Sequence, residues 1–189
     1  MITAKQLARY IISEIKKQMT SDYLEEFDVT PLKLQKLLYY VQGYSLALTG
    51  KPAFPDKIEA WKYGPVVESV YQEYKKYNKS IIPYDEMQDE EIYDETLRQI
   101  VHLVLLDKQH SSGEVLARAT HKESPWLNAY QGSFGGFYTN EEIPENAIKD
   151  YFASEFQKRD EDYEEEDKAW DSIATPVKSS ELEAVLEEI

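Results

Sequence analysis

With 189 residues, 42% of them hydrophobic and 30% charged, the chain can build one domain with a proper core but not two of ordinary size. The absence of cysteine excludes disulfides and thiolate chemistry, and no apolar run approaches the length that spans a bilayer. Nine of the net fifteen negative charges fall after residue 150, where thirteen acids stand against four cations; that end repels phosphate backbones and anionic lipid and attracts basic protein surfaces.

The start, MITAKQLARYIISEIKK, has no signal-peptide pattern, so a soluble cytoplasmic protein is expected. Thr3 and Gln6 form a capping-box pair, and Leu7, Ile11 and Ile15 follow at helical spacing, which predicts a first helix from Thr3 to Met19. After an acidic linker, Thr30 is the expected N-cap of a second helix, with Pro31 at its first position and Gly50 beyond its end. Leu34, Leu37, Leu38, Val41, Ser45 and Leu48 make its stripe.

GKPAFPDKIEAWKY has two prolines and no helical period, so it reads as a loop entering an extended segment at 58–63. Gly64-Pro65 is expected to start a third helix, with Val67, Val70, Tyr71 and Tyr74 on one face. Beyond a solvated acidic loop, TLRQIVHLVLLDKQH carries the buried stripe Leu97, Ile100, Val101, Val104 and Leu105 and is expected to lie centrally. Ser111 with Glu114 and Thr120 with Glu123 read as two further capping boxes.

QGSFGGFYTN, glycines between aromatics, reads as an irregular loop with at most a short extended piece at 134–139. Pro144 restarts a helix whose Ile148, Tyr151, Phe152 and Phe156 face inward. The expected architecture is thus mainly α: one helical domain over 1–156 and an acidic arm over 157–189. In the arm a charged spacer leads to a short amphipathic helix bearing Leu182, Val185, Leu186 and Ile189.

Catalytic chemistry finds little support in the pattern. His102, His110 and His121 have no metal-ligand spacing, so no metal and no cofactor are expected. GSFGG lacks the Lys-Ser/Thr that completes a phosphate loop. The small basic clusters, Lys33 with Lys36 and Lys75, Lys76 with Lys79, do not make a nucleic-acid stripe on so acidic a chain. What stands out is aromatic surface: Tyr39, Tyr40, Tyr44, Tyr63, Tyr71, Tyr74 and Tyr77 fall within 39 residues. Tyrosine gives large contact area at small entropy cost, which suits protein recognition.

KLQKLLYY, EAWKYGPV and THKESPW, in that order, together with IPENAIKDYF, resemble the Panacea domain family over residues 1 to 155. That family includes SocA-type antitoxins and phage-associated GepA-like proteins. The resemblance implies a noncatalytic antitoxin that binds a co-encoded toxin directly; the alternative is an adaptor or phage regulator bridging a client to a protease. Trp61, Tyr63, Gly64 and Pro65 match one family signature, and His121, Glu123, Pro125 and Trp126 another. Whether these hold the fold or touch the partner stays open, as do contacts through Tyr39, Tyr40, Tyr44 and Tyr71 and a homo-oligomer through that face. Losing Trp61 or Trp126 from a packed interior would cost ~3–5 kcal/mol, and His121 is expected to bond the Trp61 segment. The arm, with Glu164, Glu165, Glu166, Trp170, Leu182, Val185 and Leu186, is expected to clamp a basic toxin surface, to solubilise, or to fold back.

Overall fold

Helix α2, Pro31–Thr49, is the element around which the others are arranged. The computed structural model describes residues 2–18, 28–84, 90–131 and 141–173. The Thr30 side chain accepts from the Lys33 amide at the start of α2, and Gly50 closes its end at φ 71°. Both ends match the sequence reading, but the expectation of a single stripe does not hold. Every residue from Lys33 to Leu46 is buried, while Leu48 is half exposed.

A helix surrounded on all sides needs neighbours on all sides. These are α1 (Ala4–Gln18), α3 (Glu68–Tyr74), α4 (Glu95–Lys108), α5 (Gly113–Thr120) and a two-stranded hairpin. The capping box at Thr3 and Gln6 forms as expected, and Asp56 ties the start of α1 to α3 by accepting from the Ala4 amide and the Ser69 hydroxyl. The buried stripe of α4 is the expected one, but α4 is not central. Its other face presents His102, Leu103 and Leu106 to solvent.

The hairpin pairs β1, Glu59–Trp61, with β2, Gly64–Val66, in antiparallel register Trp61 to Gly64. Gly64-Pro65 therefore belongs to a strand, and α3 starts only at Glu68. The physical reason lies on α2. Gln35 both donates to the Val67 carbonyl and accepts from the Val67 amide, and the Lys36 ammonium donates to the Pro65 carbonyl, holding this stretch extended.

Two capping expectations are also corrected. Ser112, not Ser111, caps α5, accepting from the Val115 amide. Thr120 donates to the Ala117 carbonyl instead of capping, and α6, Ser124–Gln131, follows the turn at 120–123. The last helix among the described residues, α7, spans Glu145–Ile173, so the charged stretch at 157–173 is helical. Near its start Phe152 seats against Gly43, where a Cβ would lie 2.2 Å from the ring. The ring meets Tyr39, Tyr40 and Tyr44 edge-on.

By contact density the chain divides into two compact units, Met1–Ala153 and Ser154–Ile189. In the second, Lys158 pairs with Glu155 one turn away. The expected extended piece at 134–139 and the amphipathic helix with Leu182, Val185, Leu186 and Ile189 lie outside the described residues.

Candidate functional site

The three sequence signatures meet inside the first unit. From KLQKLLYY, Lys36 is wholly buried and donates to the Pro65 carbonyl of the EAWKYGPV stretch at 2.8 Å. Tyr40 donates to Glu123 of the THKESPW stretch at 2.8 Å. The Trp126 indole donates to the Trp61 carbonyl at 2.9 Å. Each motif thus supplies the hydrogen-bond partner of another.

The electrostatics follow from burial. Desolvation pulls the Lys36 ammonium down to about 7, against the attraction of the Glu123 carboxylate. Burial, reinforced by Glu123, pushes the Tyr39 and Tyr40 phenols well above their usual value. His121 is held low first by burial and then by the Lys36 cation, while a hydrogen bond to the Lys62 backbone opposes both. That bond is the expected tie to the Trp61 segment. The His121 ring stacks on Trp126 at 4.2 Å, and Trp126 stacks on Tyr130 at 4.5 Å. Replacing Tyr40 with phenylalanine removes the donor to a buried carboxylate oxygen and is expected to cost about 1–3 kcal/mol in urea unfolding.

The remaining predicted site residues divide by exposure. Tyr39, Tyr40, Tyr44, Trp61, Glu123, Pro125 and Trp126 are buried, as are Gly64 and Pro65. Tyr44 donates to Asp107. Tyr71 is half-buried, edge-on to Trp61 at 4.8 Å, and Tyr63 is 56% exposed. Glu164, Glu165, Glu166 and Trp170 lie on α7, whereas Leu182, Val185 and Leu186 fall outside the described residues.

Sequence reasoning missed the buried polar side chains that fasten loops to α2. Lys33 donates to the Gln109 carbonyl, and Gln42 bonds the backbone of Ala53 and Phe54. Their signal is that a helix apolar on nearly every side leaves its few lysines and glutamines no route to solvent.

It also missed an open cleft of about 790 Å³ beside the hairpin. Trp61, Tyr63, Val66 and Tyr71 line it from the hairpin and α3, and Pro31 and Leu32 from α2. Its charged groups are Lys62, Lys75, Lys79 and Glu114. Among the described residues no three histidines or carboxylates come together as a metal site, and no helix is long and apolar enough to cross a membrane.

Residues 34–127 match the family model described as antitoxin SocA-like, Panacea domain. Antitoxin SocA of Caulobacter vibrioides (strain NA1000 / CB15N) is 29% identical over 144 residues, a match covering 70% of this chain and 76% of that protein. No solved structure matches the chain. The matched segment contains the hydrogen-bonded residues that join the three signatures, from Lys36 to Trp126, and over that segment the chain carries a SocA-like Panacea domain.

Proposed function

We propose that this protein is the antitoxin of a toxin-antitoxin pair and neutralises a co-encoded toxin by binding it directly. The observation that carries the reading is the likeness to antitoxin SocA over 70% of the chain. The role needs no catalytic group, only a surface. The cleft supplies one: aromatic, partly exposed at Tyr63, and built on a hairpin that the buried signature residues hold in place. The acidic arm, with nine excess negative charges after residue 150, offers a second contact for a toxin bearing a basic patch.

Co-expression with the product of the adjacent gene tests this. Growth rescue together with a stable complex, pulled down through a tag on this chain, is the expected result. Rescue accompanied by loss of the toxin would move the function to an adaptor that hands it to a protease. A neighbour that is neither toxic nor bound would overturn the antitoxin reading. Removing residues 160–189 is expected to weaken the complex, most at low salt, because attraction between charges across water is screened beyond ~8 Å at physiological ionic strength.

A further inference from the structure

From the cleft beside the Trp61 hairpin, we propose that it captures an acidic, apolar-studded peptide segment of the toxin, with leucine or aromatic side chains on its floor and carboxylates against Lys62, Lys75 and Lys79. The identity of the partner rests on the antitoxin reading; the chemistry of the occupant rests on the cleft alone.

The first argument is charge. Over the whole chain acids outnumber Lys and Arg by 36 to 21, yet the charged groups lining this cleft are three lysines and one glutamate. The local balance is opposite in sign to the molecule's. Lys75 and Lys79 both lie in the segment that follows α3, while Glu114 sits in the first turn of α5. An acidic segment therefore gains most by placing its carboxylates against the 75–79 wall and its apolar side chains elsewhere.

The second argument concerns what the floor can offer. Its two buried polar groups are already committed: the Gln35 amide uses both its oxygen and its nitrogen on Val67, and the Trp61 indole donates to Glu59. A pocket for a small polar ligand needs convergent donors and acceptors on its floor. Here the floor offers apolar and aromatic surface, with cations around it, which suits side chains of a peptide carrying acids.

The third argument limits how that peptide is held. A strand added to the hairpin would need an open edge. On the β1 side, Ala60 donates to the Glu141 carbonyl and Ile143 to the Ile58 carbonyl. On the β2 side, the Pro65 carbonyl is taken by Lys36 and the adjoining Val67 backbone by Gln35. Recognition therefore runs through side chains, and the partly exposed Tyr63 is the central contact.

The test uses the full chain and three fluorescein-labelled peptides that share one pattern of leucine and tryptophan but carry glutamate, glutamine or lysine at every polar position. Fluorescence anisotropy is expected to rank glutamate above glutamine above lysine, with at least ~10-fold between the extremes, and the gap should narrow as salt is raised. The double variant Lys75→Glu, Lys79→Glu leaves Lys62 against three carboxylates in the cleft and should reverse the ranking, lysine above glutamate, while the chain still melts as a folded protein. The control Lys51→Glu, Lys149→Glu makes the same charge change at exposed positions outside the cleft and should keep the parent's ranking. A photocrosslinker in place of Tyr63 should label the glutamate peptide. Equal binding of all three peptides, no binding of any, or a ranking that survives the Lys75 and Lys79 reversal would overturn the proposal. Because the peptides do not require the toxin, these results are independent of the co-expression experiment. A toxin that binds the Lys75→Glu, Lys79→Glu variant as tightly as the parent would leave the antitoxin reading standing and remove the cleft from it.

Discussion

Replacing Lys36 with methionine is expected to leave the chain at least as stable as the parent near pH 7 and clearly less stable near about pH 9.5, a swing on the order of 3 kcal/mol. The sign follows from burial. The folded protein holds this ammonium at about 7, whereas the unfolded chain holds it near ~10.4. Between those values the unfolded state binds more protons than the folded one, so parent stability rises with pH across the window. Below it the full cost of burying the charge is present. Methionine has no proton to lose and removes that slope, while the Pro65 carbonyl, which accepts from Lys36 at 2.8 Å, loses its donor at every pH, a cost of about 1–3 kcal/mol. Lys33 is also held low by burial, and because both chains carry it, its slope cancels in the comparison. Urea unfolding of both chains at the two pH values decides the matter. A difference that stays constant with pH would mean that Lys36 keeps its proton in the fold. Since Lys36 fastens β2, the methionine chain should also bind the glutamate peptide more weakly even where it is the more stable.

The terminal signals of α2 were legible because each acts locally. Thr30 has a hydroxyl for an orphan amide, Pro31 a fixed φ, and Gly50 a tolerance for the left-handed region. The stripe of α4 was legible because one side of that helix does face solvent. Lys33, Gln35, Lys36 and Gln42 were not, since a polar residue on a helix ordinarily points outward, and only the loops wrapped round α2 reveal that these bond carbonyls and amides inside. The same contacts explain the error at Gly64-Pro65. Proline at a helix start is a sound local rule, and two side chains from a distant helix override it. In the site, Trp61 and Tyr63 stood out by type, and Lys75 and Lys79 by clustering. The net charge of -15 masked a small patch of opposite sign, because a total says nothing of distribution.

Gly64→Ala is expected to cost about 3–4 kcal/mol, the second large effect, and the cost has two separable parts. Gly64 has φ 95°, a region that a Cβ penalises by roughly 1–2 kcal/mol. A Cβ there would also stand 2.6 Å from the Thr120 hydroxyl oxygen and 2.7 Å from the Lys36 nitrogen. Both neighbours are buried and committed, Thr120 to the Ala117 carbonyl and Lys36 to that of Pro65, so neither can withdraw freely. Overpacking of this kind adds about 1–3 kcal/mol. Gly50 isolates the first part: its φ is 71° and nothing lies within 4 Å of its would-be Cβ, so Gly50→Ala should cost only about 1 kcal/mol. A double-mutant cycle isolates the second. Thr120→Ala removes the clashing oxygen, and in combination with Gly64→Ala it should recover about 1 kcal/mol relative to the sum of the single changes. Equal losses at Gly64 and Gly50, or strict additivity with Thr120→Ala, would show that the close approach of hairpin, α2 and α5 contributes nothing. The packed alternative has a functional consequence. The glycine lets β2 sit directly on Lys36 and Thr120, and that seat fixes Trp61 and Tyr63 at the cleft, so Gly64→Ala should weaken peptide capture more than its exposed neighbour Lys62→Ala does.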